Sequence, residues 1–240
     1  KTAYEIPLRL VGSEMCIRDR YRLTTRIKLR AARPRAMPEH EEALVLKTEP
    51  SGESFIKLYV ITAESGIFLC MKRVSKKANS STIPDLFDTA VILLETSQQG
   101  TMRFVKEYQL RQRRDVIGQN YRSLRSASRL SQLLVKNASH MHESEWLFRL
   151  TERAFDAFAA GKAPDVVLLK SLFLLLKDEG YPVRESWWPT LRADLRETAK
   201  CLLSEPSPVH IDKPEQKTCE RIEEHLTQWM RHQTDLIIPD

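Results

Sequence analysis

The stretch Ala163–Pro182, APDVVLLKSLFLLLKDEGYP, constrains the fold more than any other part of this chain. Between Val166 and Leu176 only Lys170 and Ser171 interrupt a run of apolar residues. The run is shorter than the roughly 20 residues a bilayer-spanning helix requires. Asp165 precedes it and Lys177-Asp178-Glu179 follow it, as in a water-soluble helix. Pro164 suits the first turn, where its missing N–H costs nothing. Gly180 suits the left-handed position just past the end, and Pro182 cannot continue the helix. A helix that is apolar on nearly every face has to be enclosed by other elements, so this one is expected to be the spine of a helical domain.

The chain has 240 residues, room for one large domain or two small ones. Its four cysteines, Cys16, Cys70, Cys201 and Cys219, form no CxxC pair, so neither a disulfide framework nor a zinc knuckle is expected. With no apolar run of membrane length, no membrane partner is expected and a reducing cytoplasm is the default. The net charge of +6 is unevenly spread. Residues 1–36 hold ten Lys/Arg against three acids, and the remainder of the chain carries a net charge of −1. Global charge therefore says nothing about nucleic-acid binding; only local clusters can.

Within those first residues, Tyr4–Arg20 (YEIPLRLVGSEMCIRDR) resembles a translated sequencing adaptor, most specifically over VGSEMCIRDR. Residues 1–37 are accordingly expected to be an artefact or untranslated leader without fixed structure, with Met37 as a plausible start. The rival reading is a basic arm that binds nucleic acid.

Patterned sequence begins after Met37. Glu42–Lys47, Glu53–Thr62, Ile67–Arg73, Thr89–Glu95 and Thr101–Gln109 are short runs rich in β-branched and aromatic residues, separated by turn signals such as Pro50-Ser51-Gly52 and Gln98-Gln99-Gly100. Five short strands in residues 38–115 suit a small closed or nearly closed barrel. Alternation places Phe55, Lys57, Tyr59 and Ile61 on one face of the second strand, opposite Ile56, Leu58 and Val60. The last strand sets Phe104, Lys106 and Tyr108 on one side. Such a stripe suits base stacking with a cation on phosphate, and equally suits ordinary strand packing.

Basic residues gather in two places. One is Lys72, Arg73, Lys76 and Lys77, where a strand passes into a polar loop. The other, Arg103 to Lys136, holds nine Lys/Arg, among them Arg103, Lys106, Arg122, Arg125 and Arg129, against Glu107 and Asp115. Arg122, Arg125 and Arg129 fall on one helical face. The excess fits phosphate contacts with counterion release, and a solvated charged helix face explains it as well.

Residues 116–240 read as helices over Val116–Asn137, Glu143–Ala160, the spine, Trp187–Ser204 and Glu215–Thr234. The whole is an α+β chain, a five-stranded barrel followed by an all-α bundle. A Gly-rich phosphate loop, GxSxG and HExxH are all missing, and only seven glycines occur. His140 and His142, two apart, do not converge on one helical face, and His225 with His232 lack a third ligand, so ordinary surface histidines are expected. No nucleophile, base and oxyanion site assembles, so no catalytic residues, metal or cofactor are expected.

Two blocks carry a family resemblance. EALVLKTEPSGESFIKLYVITAESGIFLCMKRVSKK (Glu42–Lys77) and VVLLKSLFLLLKDEGYPV (Val166–Val183) resemble, in this order and spacing, the opening block and the Leu-Gly-Tyr-terminated helix of the bacterial DNA repair proteins of the RecO family. The resemblance implies an OB-fold barrel before a helical bundle, and a non-enzymatic recombination mediator. Such a protein binds single- and double-stranded DNA, anneals complementary strands, binds the acidic C-terminal tail of single-stranded DNA-binding protein, and acts with RecR to load RecA at gaps. It also implies that Lys72, Arg73, Lys76 and Lys77 hold phosphate and that Lys170 meets the tail's terminal carboxylate; Lys170 is equally a lysine whose stem lies along the core. The sequence departs from the family in three ways. Only Cys201 and Cys219 occur where many members carry a cysteine-ligated zinc, Arg73-Val74 replaces the loop's usual Gly, and the segment from Thr198 onward matches poorly. The alternative is a helical peptide- or protein-binding adaptor with a purely structural barrel.

Overall fold

Apolar–polar alternation between turn residues gives strands because side chains on successive residues point to opposite faces, so one face can be buried. Five such runs form strands: β1 (Glu39–Ser51), β2 (Phe55–Thr62), β3 (Gly66–Arg73), β4 (Thr89–Thr96) and β5 (Arg103–Gln112). The structure, a computed structural model, describes residues 39–74, 83–97, 99–100, 102–141 and 144–239. The expected leader and the loop lysines Lys76 and Lys77 lie outside the described residues.

The strands close into a barrel in the order β1-β2-β3-β5-β4, with β4 returning to β1. Every pairing is antiparallel except β3 with β5, where Cys70 lies opposite Arg103 and Lys72 opposite Val105. This is an OB-fold-like barrel. β1 is long enough to serve two neighbours, with Glu39–Leu44 on β4 and Ala43–Ser51 on β2, and a register shift between Val45 and Lys47 bends it. Val45, Leu58, Val60, Cys70, Ala90, Ile92, Leu94 and Val105 fill the interior. Fully burying such a side chain contributes about 1.5–3 kcal/mol.

A second register shift, between Leu93 and Leu94 opposite Val105 and Glu107, corrects the expectation for the last strand. Lys106 takes up the extra position, so Val105 and Tyr108 both face inward while Phe104 faces out. The stripe of Phe104, Lys106 and Tyr108 is thereby broken. An extra residue reverses the facing of everything beyond it, which a strict period of two cannot foresee.

The helices are α1 (Val116–Gln119), α2 (Tyr121–Lys136), α3 (Ser144–Ala159), α4 (Pro164–Asp178), α5 (Ala193–Ser204) and α6 (Lys213–Gln233). The single helix expected over Val116–Asn137 is broken at Asn120, whose backbone is extended and whose side-chain oxygen accepts from the Arg122 and Ser123 amides. Asn is among the best N-caps, and here it restarts the helix. The helix expected from Trp187 starts later, at Ala193. A π-helical turn (Val183–Trp187) and a 3-10 turn (Trp188–Thr190) precede it, because Pro189 cannot donate inside a helix. The Asp212 carboxylate caps α6 at the Glu215 amide, 2.7 Å away.

The spine helix α4 is enclosed as its composition requires. Val166–Leu169, Ser171–Phe173, Leu175 and Leu176 are buried, and α4 touches α2, α3, α5 and α6. Gly180 has φ 82°, the left-handed stop expected of it, and the Tyr181 amide closes the end on the Leu176 carbonyl. No helix among the described residues is long and apolar enough to cross a membrane.

The helical core continues onto the outside of the barrel, where Leu44, Leu46, Ile61 and Phe87 belong to it. Arg114, fully buried, ties the junction together. Its Nη1 donates to the Phe87 carbonyl and the Thr89 hydroxyl, both at 2.8 Å, and its Nε donates to Asp156 of α3 at 2.8 Å. Phe87 is held at φ 66° with its ring 4.9 Å from that of Phe155.

Candidate nucleic-acid interface

The outward positions of β1, β2, β3 and β5 alternate with the barrel's interior. Beyond the part covered by helices they form one open face. Phe55, Lys57 and Tyr59 come from β2, Leu69, Met71 and Arg73 from β3, Phe104 from β5, and Lys47 and Glu49 from β1. Register fixes the neighbours: Lys47 opposite Tyr59, Glu49 opposite Lys57, Lys57 opposite Met71, Phe55 opposite Arg73, and Met71 opposite Phe104. The Phe55 and Phe104 rings meet edge to face, 6.3 Å between centroids. The Lys47 ammonium lies 5.5 Å from the Tyr59 centroid and pairs with Glu49. Hydrogen bonding to that carboxylate raises the Lys47 pKa and lowers that of Glu49. Lys57 and Arg73 have no ion-pair partner among the described residues. Part-exposed rings with the Lys57 and Arg73 cations beside them give a surface on which bases can stack and phosphates can be met.

The expected DNA-binding residues are scattered over several environments. Lys72 and Arg73, adjacent in sequence, go to opposite sides of β3. Arg73 is exposed on the open face, whereas Lys72 is only 6% exposed and points into the barrel. Its ammonium sits 5.8 Å from the Tyr108 centroid, and burial lowers its pKa. The Tyr108 hydroxyl donates to Asp88 at 3.0 Å, and burial pushes its own pKa up. Arg103 also faces inward, its guanidinium 4.3 Å from the Phe68 centroid and its Nη1 buried without a hydrogen-bond partner among the described residues. Lys106 stays at the surface and pairs with Glu95.

The arginines of α2 belong to a helix–helix contact. Arg122 pairs with Asp165 of α4 and with Glu220 of α6. Arg129 grips Glu223 of α6 with two bonds of 3.0 and 2.8 Å. Burial raises the Asp165 pKa, outweighing the opposing pull of Arg122. Arg125 is exposed, on the wall of a polar groove of about 950 Å³ between α2 and α6. The basic row is thus largely matched by carboxylates from within the chain.

Lys170 lies at a second kind of surface. Its ammonium donates to the Glu205 carbonyl at the end of α5, and burial lowers its pKa. It borders a groove of about 430 Å³ between α4 and α5 whose apolar lining is Phe173, Leu174, Trp188 and Leu203. Lys177, Arg184 and Lys200 complete a rim without a carboxylate among the described residues. Sequence reasoning missed these three, because Arg184 reaches the groove from the π-helical turn and Lys200 from α5, beyond the 3-10 turn. It also left Phe55, Lys57 and Tyr59 out of the site, although their alternation on one face of β2 is the signal that marks it.

Among the described residues no three His, Cys, Asp or Glu side chains gather in a way that suits a metal ion. Burial pushes the Cys70 and Cys219 thiols up to about 12, so neither is a ready thiolate. No protein-family model matches the chain, and no curated protein matches it in sequence.

Proposed function

We propose that the protein is a non-enzymatic mediator of DNA repair that acts in the cytoplasm. It holds the backbone and bases of DNA on the open face of the barrel and recruits partner proteins through its helices. The observation that carries this is the coincidence, on one face of an OB-fold-like barrel, of the rings of Phe55, Tyr59 and Phe104 with Lys57 and Arg73, cations without an ion pair among the described residues. OB-fold barrels present their strand 2–3 face to oligonucleotides. Strands held side by side on such a face repel each other less, which favours annealing. The groove between α4 and α5, apolar within and cationic at its rim, suits an acidic peptide with an apolar end, such as the tail of single-stranded DNA-binding protein. The resemblance of Glu42–Lys77 and Val166–Val183 to RecO proteins supports the same role, with RecR as partner in loading RecA.

The test is a fluorescence-anisotropy titration of a single-stranded oligonucleotide at several salt concentrations. The double variant Lys57→Ala, Arg73→Ala should flatten the dependence of log K on log salt by about 1.4, at about 0.7 per lost phosphate contact. An unchanged slope in a folded variant removes this face from the site. A second reading, a peptide-binding adaptor with a structural barrel, is favoured by the carboxylates that already occupy Arg122 and Arg129. It predicts no DNA binding at physiological salt and undiminished binding of acidic peptides.

A further inference from the structure

We propose that protonation of His225 acts as a switch on the walls of the groove between α4 and α5. The indole Nε1–H of Trp187 donates to Nδ1 of His225 at 3.0 Å. An indole nitrogen can only donate, so Nδ1 must offer a lone pair and the imidazole must be neutral. A protonated imidazole carries hydrogen on both nitrogens. The solvent proton and the Trp187 indole therefore compete for one lone pair.

The position of Trp187 transmits the outcome. It is 0% exposed and sits in the π-helical turn after the spine helix, a rare geometry that recurs at functional sites. Its ring centroid lies 6.0 Å from that of Phe173, 5.9 Å from that of Trp188 and 6.4 Å from that of His225. Phe173 and Trp188 are two walls of the groove. On its other side His225 opens onto a polar cleft of about 390 Å³, so protons reach it from solvent. The charged groups around that cleft are Arg221 and Glu224 of α6, and Arg192 and Asp194 at the start of α5. Arg192 and Asp194 pair with each other at 3.2 Å. Arg221, one turn before His225 on the same helix, adds like charge when the imidazole is protonated. Losing its acceptor and facing a new cation, Trp187 leaves its seat, and the groove walls loosen.

The groove's use rests on the function proposed above, but the switch does not. Trp187 is followed in the full-length protein by NMR of its indole N–H from about pH 8 to about pH 5, the range in which histidine titrates. The signal is assigned by its loss in Trp187→Phe. In parallel, the apolar anion 8-anilinonaphthalene-1-sulfonate probes the groove. The expected result is a single step in the Trp187 signal on acidification, with probe affinity falling by up to about fivefold at the same midpoint, the equivalent of one hydrogen bond. His225→Gln, whose amide oxygen accepts at every pH, should abolish both steps. A step that survives in His225→Gln, or an indole that stays unchanged until the protein unfolds, overturns the switch. Should His225→Gln fail to fold, Trp187→Phe decides: the probe's step must vanish over the same pH range. A probe that binds at no pH sinks the groove and leaves the indole step standing.

Discussion

Replacing Lys72 by Met separates a lysine that serves the surface from one that faces the barrel's interior. Lys72 is 6% exposed, its ammonium has no ion-pair partner among the described residues, and its stem lies among the side chains that fill the barrel. A buried polar group without a full partner costs about 1–3 kcal/mol, more when charged. The Tyr108 ring returns about 0.5–1 kcal/mol of that. Met has a similar length and no charge to desolvate, so Lys72→Met should stabilise the protein by about 1 kcal/mol, raising Tm by about 2–4 °C for a chain of this size. The advantage depends on pH in a fixed direction. Burial lowers the lysine's pKa below its ordinary 10.5, so the native state binds fewer protons than the unfolded chain as pH rises through that lowered value. The wild type's penalty is complete below the lowered pKa and fades toward pH 10.5, and the gap between the two proteins narrows with it. Urea unfolding at neutral and alkaline pH measures this, and DNA titration against salt completes the test. A Lys72→Met protein that is less stable at neutral pH, or whose DNA salt slope flattens, refutes the interior placement.

Phe87 and Asn120 set further outcomes. Phe87→Ala should lose about 3–5 kcal/mol through the emptied contact with Phe155. Because the position has φ 66°, Phe87→Gly should be more stable than Phe87→Ala by about 1 kcal/mol, the reverse of the order in a helix, as thermal unfolding of both variants would reveal. Asn120→Ala should cost about 1 kcal/mol and expose the Arg122 and Ser123 amides to faster hydrogen exchange; unchanged exchange would show that the cap is dispensable.

Where local chemistry alone decides, the fold is legible in the sequence. Pro164 and Gly180 bound the spine helix as their backbone preferences require, and five alternating runs closed by turn residues become the five strands. Position within a run is legible only until something shifts the register. The extra residue at Lys106 turns Tyr108 inward, and no feature of TMRFVKEYQ announces it. Asn120 was a visible signal, since a good N-cap inside a helical period marks a restart. The arginine row of α2 shows the limit for sites. Arg122, Arg125 and Arg129 do share a helix, but Asp165, Glu220 and Glu223, the carboxylates that face Arg122 and Arg129, are contributed by α4 and α6, far away in the chain. Charge excess along a sequence becomes charge excess on a surface only if folding brings no opposite charge to meet it.

The strands that make the barrel also provide a ceiling for the bundle. Leu44, Leu46 and Ile61 turn their backs on the barrel and lie under the helices, with Arg114 as the bolt between them. Cutting between Gln112 and Val116, where strand gives way to helix, would leave each fragment with a greasy scar that water must cover. The same β1 and β2 that roof the helices therefore also carry Lys47, Lys57 and Tyr59 at their far ends, so bundle and open face have two strands in common.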